Sequence, residues 1–272
     1  RFDLKRLLNN EEATVGNAIP AGDTASVMKA AAAAKPGDVI HLSAGLYHFG
    51  IADTLALSAA GSRSKPITLA GARNGATVFT FDAGDGIAVT GAHWVLQDLI
   101  LRGRCPKGCG SLAYLAAQAE GFVFYNNFMT GFDQLLSQAS PKGDVRDVVV
   151  LGNTLVSNTV SDPFDFLKAV RPGWRNEKNR FVSLRDYGLT QVAVCPVETG
   201  AAAKADCNVL GLAKAVEAAA AGQLLLLRAG TYQEAMTVTV DNLTLLAEPH
   251  AQAAKTATAG KGTFVVRSRN FT

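Results

Sequence analysis

The sequence KPGDVIHLSAGLYHFG, from Lys35 to Gly50, is nearly repeated as AGQLLLLRAGTYQEAM, from Ala221 to Met236. In each stretch a short apolar strand leads into a Gly-x-Tyr segment, which begins at Gly45 in the first copy and at Gly230 in the second. Each copy follows an alanine-rich amphipathic run, ASVMKAAAAA in the first case and LAKAVEAAAA in the second. A chain with two such openings is predicted to begin the same kind of structural unit twice.

A second, shorter repeat runs between about residues 38 and 190, where short apolar strands are separated by Gly, Asn, Asp and Pro. VFYNN, beginning at Val123, aligns with VVLGN at Val149 and with VLQDL at Val95, at offsets of 26 and 28. VSLRD, beginning at Val182, aligns with the VVLGN segment at an offset of 33. A loose period of this kind is typical of a solenoid, in which each coil contacts mainly its neighbours.

One corner of these aligned segments carries a recurrent polar residue, which is Asn127, Asn153 or Asp186. Asn and Asp tolerate left-handed backbone and bond to nearby main chain, so they suit a sharp bend between strands. The alignment therefore predicts that these three side chains stack as a ladder along one corner.

The start of a solenoid exposes an open core and unpaired strand edges, and so it requires a cap. The run from Thr24 to Ala34 is predicted to be a capping helix, with Asp23 or Thr24 as its N-cap residue. Its apolar face includes Val27 and Ala31.

The order of these segments resembles a known family. AAKPGDVIHLSAGLY, SKPITLAGA and VTGAHWVLQDLILRG, within residues 24 to 103, look like the start of right-handed parallel β-helix proteins of the pectate-lyase-like superfamily. They are most similar to the chondroitinase B and alginate lyase family, whereas residues 121 to 190 follow only a generic coil pattern. The resemblance implies an all-β fold: a right-handed parallel β-helix with an N-terminal capping helix, followed by the start of a second β-helix.

The resemblance also implies cleavage of acidic polysaccharide by β-elimination, with a Lys base, an Arg and often a Ca²⁺ ion held by Asn and Glu. The Arg-His-Gly segment of that family is absent, and the one Ser-Lys pair, Ser64-Lys65, lies in an early turn. No catalytic residue of the family is therefore carried over to this chain.

The predicted domains are a first β-helix over residues 1–194, a linker over 195–207, and the start of a second β-helix over 208–272. A two-coil solenoid exposes too much core to stand alone. We therefore expect the second unit to be cut short, as a fragment of a longer tandem protein. Stacking on the first domain and capping by a partner subunit are the alternatives.

The four cysteines fall into two local pairs, Cys105 with Cys109 and Cys195 with Cys207. We favour a disulfide within each pair over buried thiols. A zinc site is the less favoured alternative, because the cysteine spacing is poor for zinc and no histidine lies near. Two disulfides would place the protein in an oxidising compartment, either the periplasm or the outside of the cell.

Composition narrows the class of partner. Charged residues make up 18% of the chain and the formal net charge is +3, a balance that gives no reason to expect a nucleic-acid partner. No run of about 20 apolar residues is present, so the sequence predicts no membrane span.

The densest charged stretch is SDPFDFLKAVRPGWRNEKNR, from Ser161 to Arg180. In β-elimination a base removes the proton α to a uronate carboxylate, and a cation stabilises the charge that develops. Lys168 is the candidate base, and Arg171 or Arg175 is the candidate cation. The candidate substrate-binding residues are Trp174, Lys178 and Arg180. The alternative is a solvated loop that closes one coil.

Two carboxylates, Asp133 and Asp165, each directly follow a phenylalanine. On adjacent coils they would share a Ca²⁺ ion, and the alternative is a pair of turn carboxylates bonded to backbone amides. The four histidines match no metal or triad spacing and are interpreted as core or surface residues. They are His41, His48, His93 and His250.

The sequence thus predicts an extracytoplasmic polysaccharide-active protein that resembles a lyase for anionic, uronate-containing glycans. A non-catalytic carbohydrate-binding or scaffold β-helix is the first alternative. A glycoside hydrolase is the second, and it would need two carboxylates such as Asp133 and Asp165.

Overall fold

The protein is mostly β-structure, with its strands arranged in parallel sheets. The computed structural model describes residues 22–105, 108–138, 145–157, 173–199, 204, 206–234, 236–253, 257–259 and 264–267. The chain divides into two compact units, Arg1–Ser183 and Leu184–Thr272.

The first unit contains three parallel sheets, to which successive strands of the chain contribute in turn. Sheet 1 consists of β1 (Val39–His41), β4 (Ile67–Ala70), β7 (Trp94–Gln97), β10 (Val123–Tyr125), β13 (Val149–Leu151) and β15 (Arg175–Glu177). Sheet 2 consists of β2 (Gly45–Phe49), β5 (Thr77–Phe81), β8 (Ile100–Gly103), β11 (Phe128–Thr130), β14 (Thr154–Ser157) and β16 (Arg180–Ser183). Sheet 3 consists of β3 (Leu55–Leu57), β6 (Ile87–Val89), β9 (Cys109–Leu115) and β12 (Phe132–Gln138). This stacking is compatible with a β-helix or solenoid.

The core of the first unit draws apolar side chains from all three sheets. Strand alternation sends every second residue inward, so that similar side chains stack from coil to coil. The ring centroids of Phe49 and Phe81 are 5.0 Å apart, and those of Phe49 and Phe79 are 5.1 Å apart. Each aromatic pair contributes about 0.5–1.5 kcal/mol beyond the area that it buries.

The corner between sheets 1 and 2 carries a ladder of asparagines. The Oδ1 atom of Asn153 accepts from the amide N–H of Asn127 at 2.8 Å, and the Oδ1 atom of Asn179 accepts from the amide of Asn153 at 2.8 Å. Each asparagine side chain also donates to a carbonyl oxygen of the preceding coil. These acceptors are Leu96, Phe124 and Val150.

The predicted ladder was correct for Asn127 and Asn153 but wrong for its third member. Asp186 lies in the turn after β16, and Asn179 takes its place. The predicted alignment of VSLRD with Val149 was wrong because β13 pairs with β15, which places Val149 opposite Arg175.

The residue before each ladder position adopts a left-handed backbone conformation. The φ angles are 51° at Asn126, 69° at Gly152 and 56° at Lys178, and Asp98, at the equivalent position one coil earlier, has a φ angle of 59°. In these four coils one left-handed residue therefore turns the chain from sheet 1 into sheet 2.

The predicted capping helix is confirmed as α1 (Thr24–Ala33), which packs against β1, β2 and β3. The carboxylate of Asp23 accepts from the amide of Ser26 at 2.9 Å. Bonding to Ser26 lowers the pKa of Asp23 below its ordinary value. Val27 and Ala31 are buried, as the pattern predicted.

The second unit has one larger sheet, two small sheets and α2 (Leu212–Glu217). Sheet 4 contains β18 (Val209–Leu210), β17 (Thr190–Cys195), β19 (Gln223–Leu227), β22 (Leu243–Ala247) and β25 (Phe264–Arg267). Sheet 5 contains β20 (Gly230–Tyr232) and β23 (Ala251–Ala253), and sheet 6 contains β21 (Met236–Val238) and β24 (Ala257–Ala259). The sequence boundary at residue 194 lies inside β17, which pairs in parallel with both β18 and β19.

Both predicted disulfides are present. The Cα atoms of Cys105 and Cys109 are 5.1 Å apart, and those of Cys195 and Cys207 are 5.7 Å apart. These separations fall within the usual range of about 4.4–6.8 Å. The second disulfide joins the end of β17 to the segment that leads into β18.

Candidate functional site

The outer faces of the three sheets of the first unit differ in exposure. On sheet 1 the outward valines are buried, with Val95 1% exposed, Val123 2% and Val149 3%. On sheet 2, Thr80 and Val156 are buried as well, whereas His48 is exposed. On sheet 3, Ala56 is exposed and Ala88, Tyr114 and Ser137 are half-buried, so among the described residues this row is more accessible than the valines of sheet 1.

A row of aligned residues crosses the outer face of sheet 3. Strand pairing places Ala56 beside Ala88, Ala88 beside Tyr114, and Tyr114 beside Ser137. Ala56 is exposed and the other three are half-buried. Tyr114 therefore has the small side chain of Ala88 beside it on the next strand and that of Ala56 one strand further away.

Polar groups lie beside this row. Ser111 donates from Oγ to Oε1 of Gln134 at 3.3 Å, and Ser137 donates to Oδ1 of Asp85 at 3.0 Å. Asp133 is exposed on β12. We call the residues Ala56, Asp85, Ala88, Ser111, Tyr114, Asp133, Gln134 and Ser137 the sheet 3 face.

A second group of polar side chains lies on sheet 2 and in the turns that follow it. Pairing places His48 beside Thr80 and Thr80 beside Arg102. Asp82 follows β5 and Arg104 follows β8, each at the start of the connection to sheet 3. We call these five residues the His48 cluster.

Each ring nitrogen of His48 has a partner in this cluster. Nδ1 lies 3.0 Å from Oγ1 of Thr80, and Nε2 lies 3.3 Å from Oδ2 of Asp82. Nε of Arg104 lies 3.9 Å from the other oxygen of Asp82. The side chains are 47% exposed for His48, 30% for Asp82 and 34% for Arg104.

Trp174, predicted to bind substrate, has a structural contact. Its indole N–H donates to the carbonyl oxygen of Val145 at 2.7 Å, and the ring packs against the core of the first unit. Trp94, at the same place in an earlier coil, donates to the carbonyl oxygen of Ala59 at 2.7 Å. The two tryptophans thus tie neighbouring turns together in the same way.

The predicted catalytic cation Arg175 and the predicted binding residues Lys178 and Arg180 lie near the corner of sheets 1 and 2. Arg175 donates from Nη2 to Oε1 of Glu177 at 2.7 Å. Lys178 is exposed at the left-handed turn position, and Arg180 begins β16. The structure does not place these three side chains on the sheet 3 face. Lys168, Arg171 and Asp165 lie outside the described residues.

Asp133 was predicted to share a Ca²⁺ ion with Asp165. Within the described residues, no three or more His, Cys, Asp or Glu side chains are gathered in a way that could hold a metal ion. The described partners of Asp133 therefore do not fit a calcium site by themselves.

The sequence alone did not predict the His48 cluster, because no spacing in the sequence links His48 to Thr80, Asp82 or Arg104. The signal lies in the strand register, since Gly45 pairs with Thr77 and Val78 pairs with Ile100. The first of these spacings is longer and the second is shorter than the period found in the later coils, so alignment by a constant period hides the column. With the register known, His48 falls beside Thr80.

Comparisons with protein-family models, with curated proteins and with solved structures found no match. The chain's own residues are therefore the basis for its proposed function. The part of the chain that the structure describes contains no helix long and apolar enough to cross a membrane.

Proposed function

We propose that this chain is an extracytoplasmic polysaccharide-active protein that cleaves anionic, uronate-containing polysaccharide by β-elimination, as its sequence resemblance implies. In this proposal the parallel stacks are right-handed β-helices, the first capped by α1. Two disulfides support an oxidising compartment, periplasmic or secreted, because such bonds are rare in the cytosol.

The observation that carries the proposal is the accessible sheet 3 face with Tyr114 at its centre. An aromatic ring offers a flat apolar surface to the C–H face of a sugar ring. The hydroxyl, amide and carboxylate groups of Ser137, Gln134 and Asp85 suit sugar hydroxyls, which both donate and accept hydrogen bonds. A stack of parallel strands provides a long surface of this kind, as a polymer requires.

The β-elimination reaction requires a base, a cation and a proton for the leaving oxygen. A base takes the proton α to the uronate carboxylate, the electron pair forms the new C=C bond, and the glycosidic C–O bond breaks. The leaving oxygen takes a proton, and a cation offsets the charge on the carboxylate. Lys168 remains the proposed base, and Arg171 or Arg175 the proposed cation. In the structure, Arg175 already pairs with Glu177.

A Ca²⁺ ion shared by Asp133 and Asp165 remains part of the proposal, and no step of the reaction is routed through it. Each assay is therefore run both with added Ca²⁺ and with a chelator. A requirement for the ion would support the shared site.

The test is an absorbance assay for the new C=C bond with alginate, pectate and chondroitin. Tyr114→Ala is expected to lower kcat/KM roughly three- to tenfold, which is the worth of one aromatic contact. Tyr187→Ala is the matched control, because Tyr187 is 59% exposed and belongs to the second unit. If the unaltered protein produces no absorbance with any of the three polymers, the lyase proposal fails.

A non-catalytic glycan-binding protein is the second candidate. The described side chains of the sheet 3 face are sufficient for binding, whereas the proposed base, Lys168, lies outside the described residues. Binding of a polymer that Tyr114→Ala weakens, without any new absorbance, would favour this candidate.

A further inference from the structure

The His48 cluster has the composition of an anion-binding site. Two groups that bind carboxylates, the imidazole of His48 and the guanidinium of Arg104, converge on the two oxygens of Asp82. Arg102 pairs with Thr80 in the strand register and is only 6% exposed.

Thr80 holds the imidazole ring of His48 in position. Thr80 is fully buried, and its Oγ1 atom lies 3.0 Å from Nδ1 of His48 and 3.5 Å from the carbonyl oxygen of Tyr47. When the hydroxyl of Thr80 donates to Nδ1, the ring nitrogen Nε2 carries the proton and is the donor. This contact fixes the ring so that Nε2 points toward Asp82 and the half-exposed side of the cluster.

The contacts to Asp82 are long. Its oxygens lie 3.3 Å from His48 and 3.9 Å from Arg104, whereas charge-assisted bonds usually measure about 2.7–2.9 Å. Partly exposed ion pairs at such distances contribute little and exchange readily with other partners. The carboxylate of Asp82 therefore lies between His48 and Arg104 and is bound only weakly by them.

We propose that the His48 cluster binds a carboxylate of the ligand, and that Asp82 takes this position when no ligand is bound. The bound carboxylate accepts from Nε2 of His48 and from the guanidinium of Arg104, while Asp82 turns toward solvent. The identification of the ligand as a uronate glycan rests on the proposed function. The site itself rests on the geometry of the cluster.

In this proposal Asp82 competes with the ligand carboxylate, so removing its charge should tighten binding rather than weaken it. Binding is measured by calorimetry at low salt, with uronate oligosaccharides from alginate, pectate and chondroitin. Asp82→Asn is expected to tighten binding about three- to tenfold. Arg104→Gln and His48→Gln are expected to weaken binding roughly tenfold each, the ratio for one charge-assisted hydrogen bond.

Matched controls separate a specific site from general charge. Glu120→Gln removes the same charge as Asp82→Asn at an exposed loop position and is expected to leave the affinity unchanged. Carboxyl-reduced oligosaccharides lack the ligand carboxylate, and for them the four variants should bind alike. Inorganic sulfate as a competitor distinguishes a general anion site from one that selects a carboxylate.

Several results would overturn the proposal. One is a loss of affinity in Asp82→Asn as large as that in Arg104→Gln, in variants that retain the circular dichroism of the parent. Others are equal binding of reduced and unreduced oligosaccharides, or no binding of any of the three. Binding without the C=C absorbance leaves this site intact and removes only the lyase proposal.

Discussion

The two Ala-Gly-x-Tyr openings have the same backbone and different surroundings. Gly45 and Gly230 have φ angles of 140° and 139°, and the hydroxyls of Tyr47 and Tyr232 donate to the carbonyl oxygen four residues earlier, at 3.1 and 3.0 Å. In the first unit that acceptor, on Ser43, is also bonded by the hydroxyl of Thr77 at 3.2 Å.

In the second unit the corresponding position carries a buried ion pair. Nη1 of Arg228 lies 2.7 Å from Oε1 of Glu248, with side chains 11% and 0% exposed. The other carboxylate oxygen accepts from the amide of Ala229 at 3.0 Å, and the hydroxyl of Tyr232, whose one hydrogen is shared, also lies 2.6 Å from the carbonyl oxygen of Val194. The glycine and tyrosine thus specify the turn, while its surroundings can be neutral or charged.

The largest expected difference between the units comes from this ion pair. Glu248→Ala removes the carboxylate that Arg228 and Ala229 donate to, and is expected to lower the free energy of unfolding of the second unit by about 3–5 kcal/mol. Ser43→Ala, at the position that corresponds to Arg228, should cost little because the described bonds to Ser43 use its backbone oxygen.

The two units can be read separately in this experiment. Both tryptophans, Trp94 and Trp174, belong to the first unit, so their fluorescence reports its denaturation alone. Amide hydrogen exchange in β19 and β22 reports the second unit. Unchanged exchange in Glu248→Ala would contradict a stabilising role for the pair.

Alanine at the two glycines should come next in size. Both φ angles lie where side chains are disfavoured, which costs roughly 1–3 kcal/mol. At Gly230 a Cβ atom would also lie 2.5 Å from Cγ of Pro196. Gly45→Ala and Gly230→Ala are each expected to destabilise their unit by at least the backbone cost, as measured by urea denaturation. A cost at Gly230 no larger than the backbone cost would show that the Pro196 contact relaxes.

Removing the tyrosine hydroxyls should have a smaller effect. Tyr232→Phe removes a hydroxyl hydrogen that is shared between the carbonyl oxygens of Val194 and Arg228, and Tyr47→Phe removes one that is directed at Ser43, so each variant is expected to cost about 0.5–1.5 kcal/mol. The carbonyl oxygen of Ser43 keeps its bond from Thr77 in the second variant. A larger loss in Tyr47→Phe than in Tyr232→Phe would reverse this comparison.

Alkaline pH should also separate the two units. Burial raises the pKa of Tyr232 far above its usual value, with the charge of Glu248 as a second cause, and burial raises the pKa of Tyr47 as well. Because the folded state favours the neutral hydroxyl, this stability is fully present below the unfolded pKa of about 10 and is lost as pH rises.

The expected slope for Tyr232 is a loss of up to about 1.4 kcal/mol per pH unit above that value. Hydrogen exchange in β19 at pH values on either side of 10 measures it, and Tyr232→Phe should abolish the dependence. A slope that persists in the variant would belong to another group.

Sequence alone predicted those parts of the fold that recur at a constant period. Asn127 and Asn153 were found because the strands before them are apolar and pair in the register that the alignment predicted, with Val123 opposite Val149. Asn179 was missed because β15 reads Arg-Asn-Glu, without the apolar residues that identify a strand. A polar strand at the end of a stack is positioned by its neighbour, and no local pattern reveals it.

The sites were harder to predict than the fold for a different reason. Which of three sheet faces is accessible depends on everything that packs against it, so the exposure of Tyr114 cannot be read from β9. The contact between His48 and Asp82 depends on register across strands with unequal spacing. The indole contact of Trp174 is likewise visible only in the structure, where Trp94 makes the same contact in an earlier coil.

The asparagine ladder has a consequence for how such a chain can change in length. Every rung bonds to the coils beside it through the same backbone amide and carbonyl positions. Duplication or deletion of a whole coil keeps each rung in step, whereas one extra residue at a corner breaks the bonds between that rung and its neighbours. The ladder thus makes the whole coil the unit in which evolution can lengthen or shorten this protein.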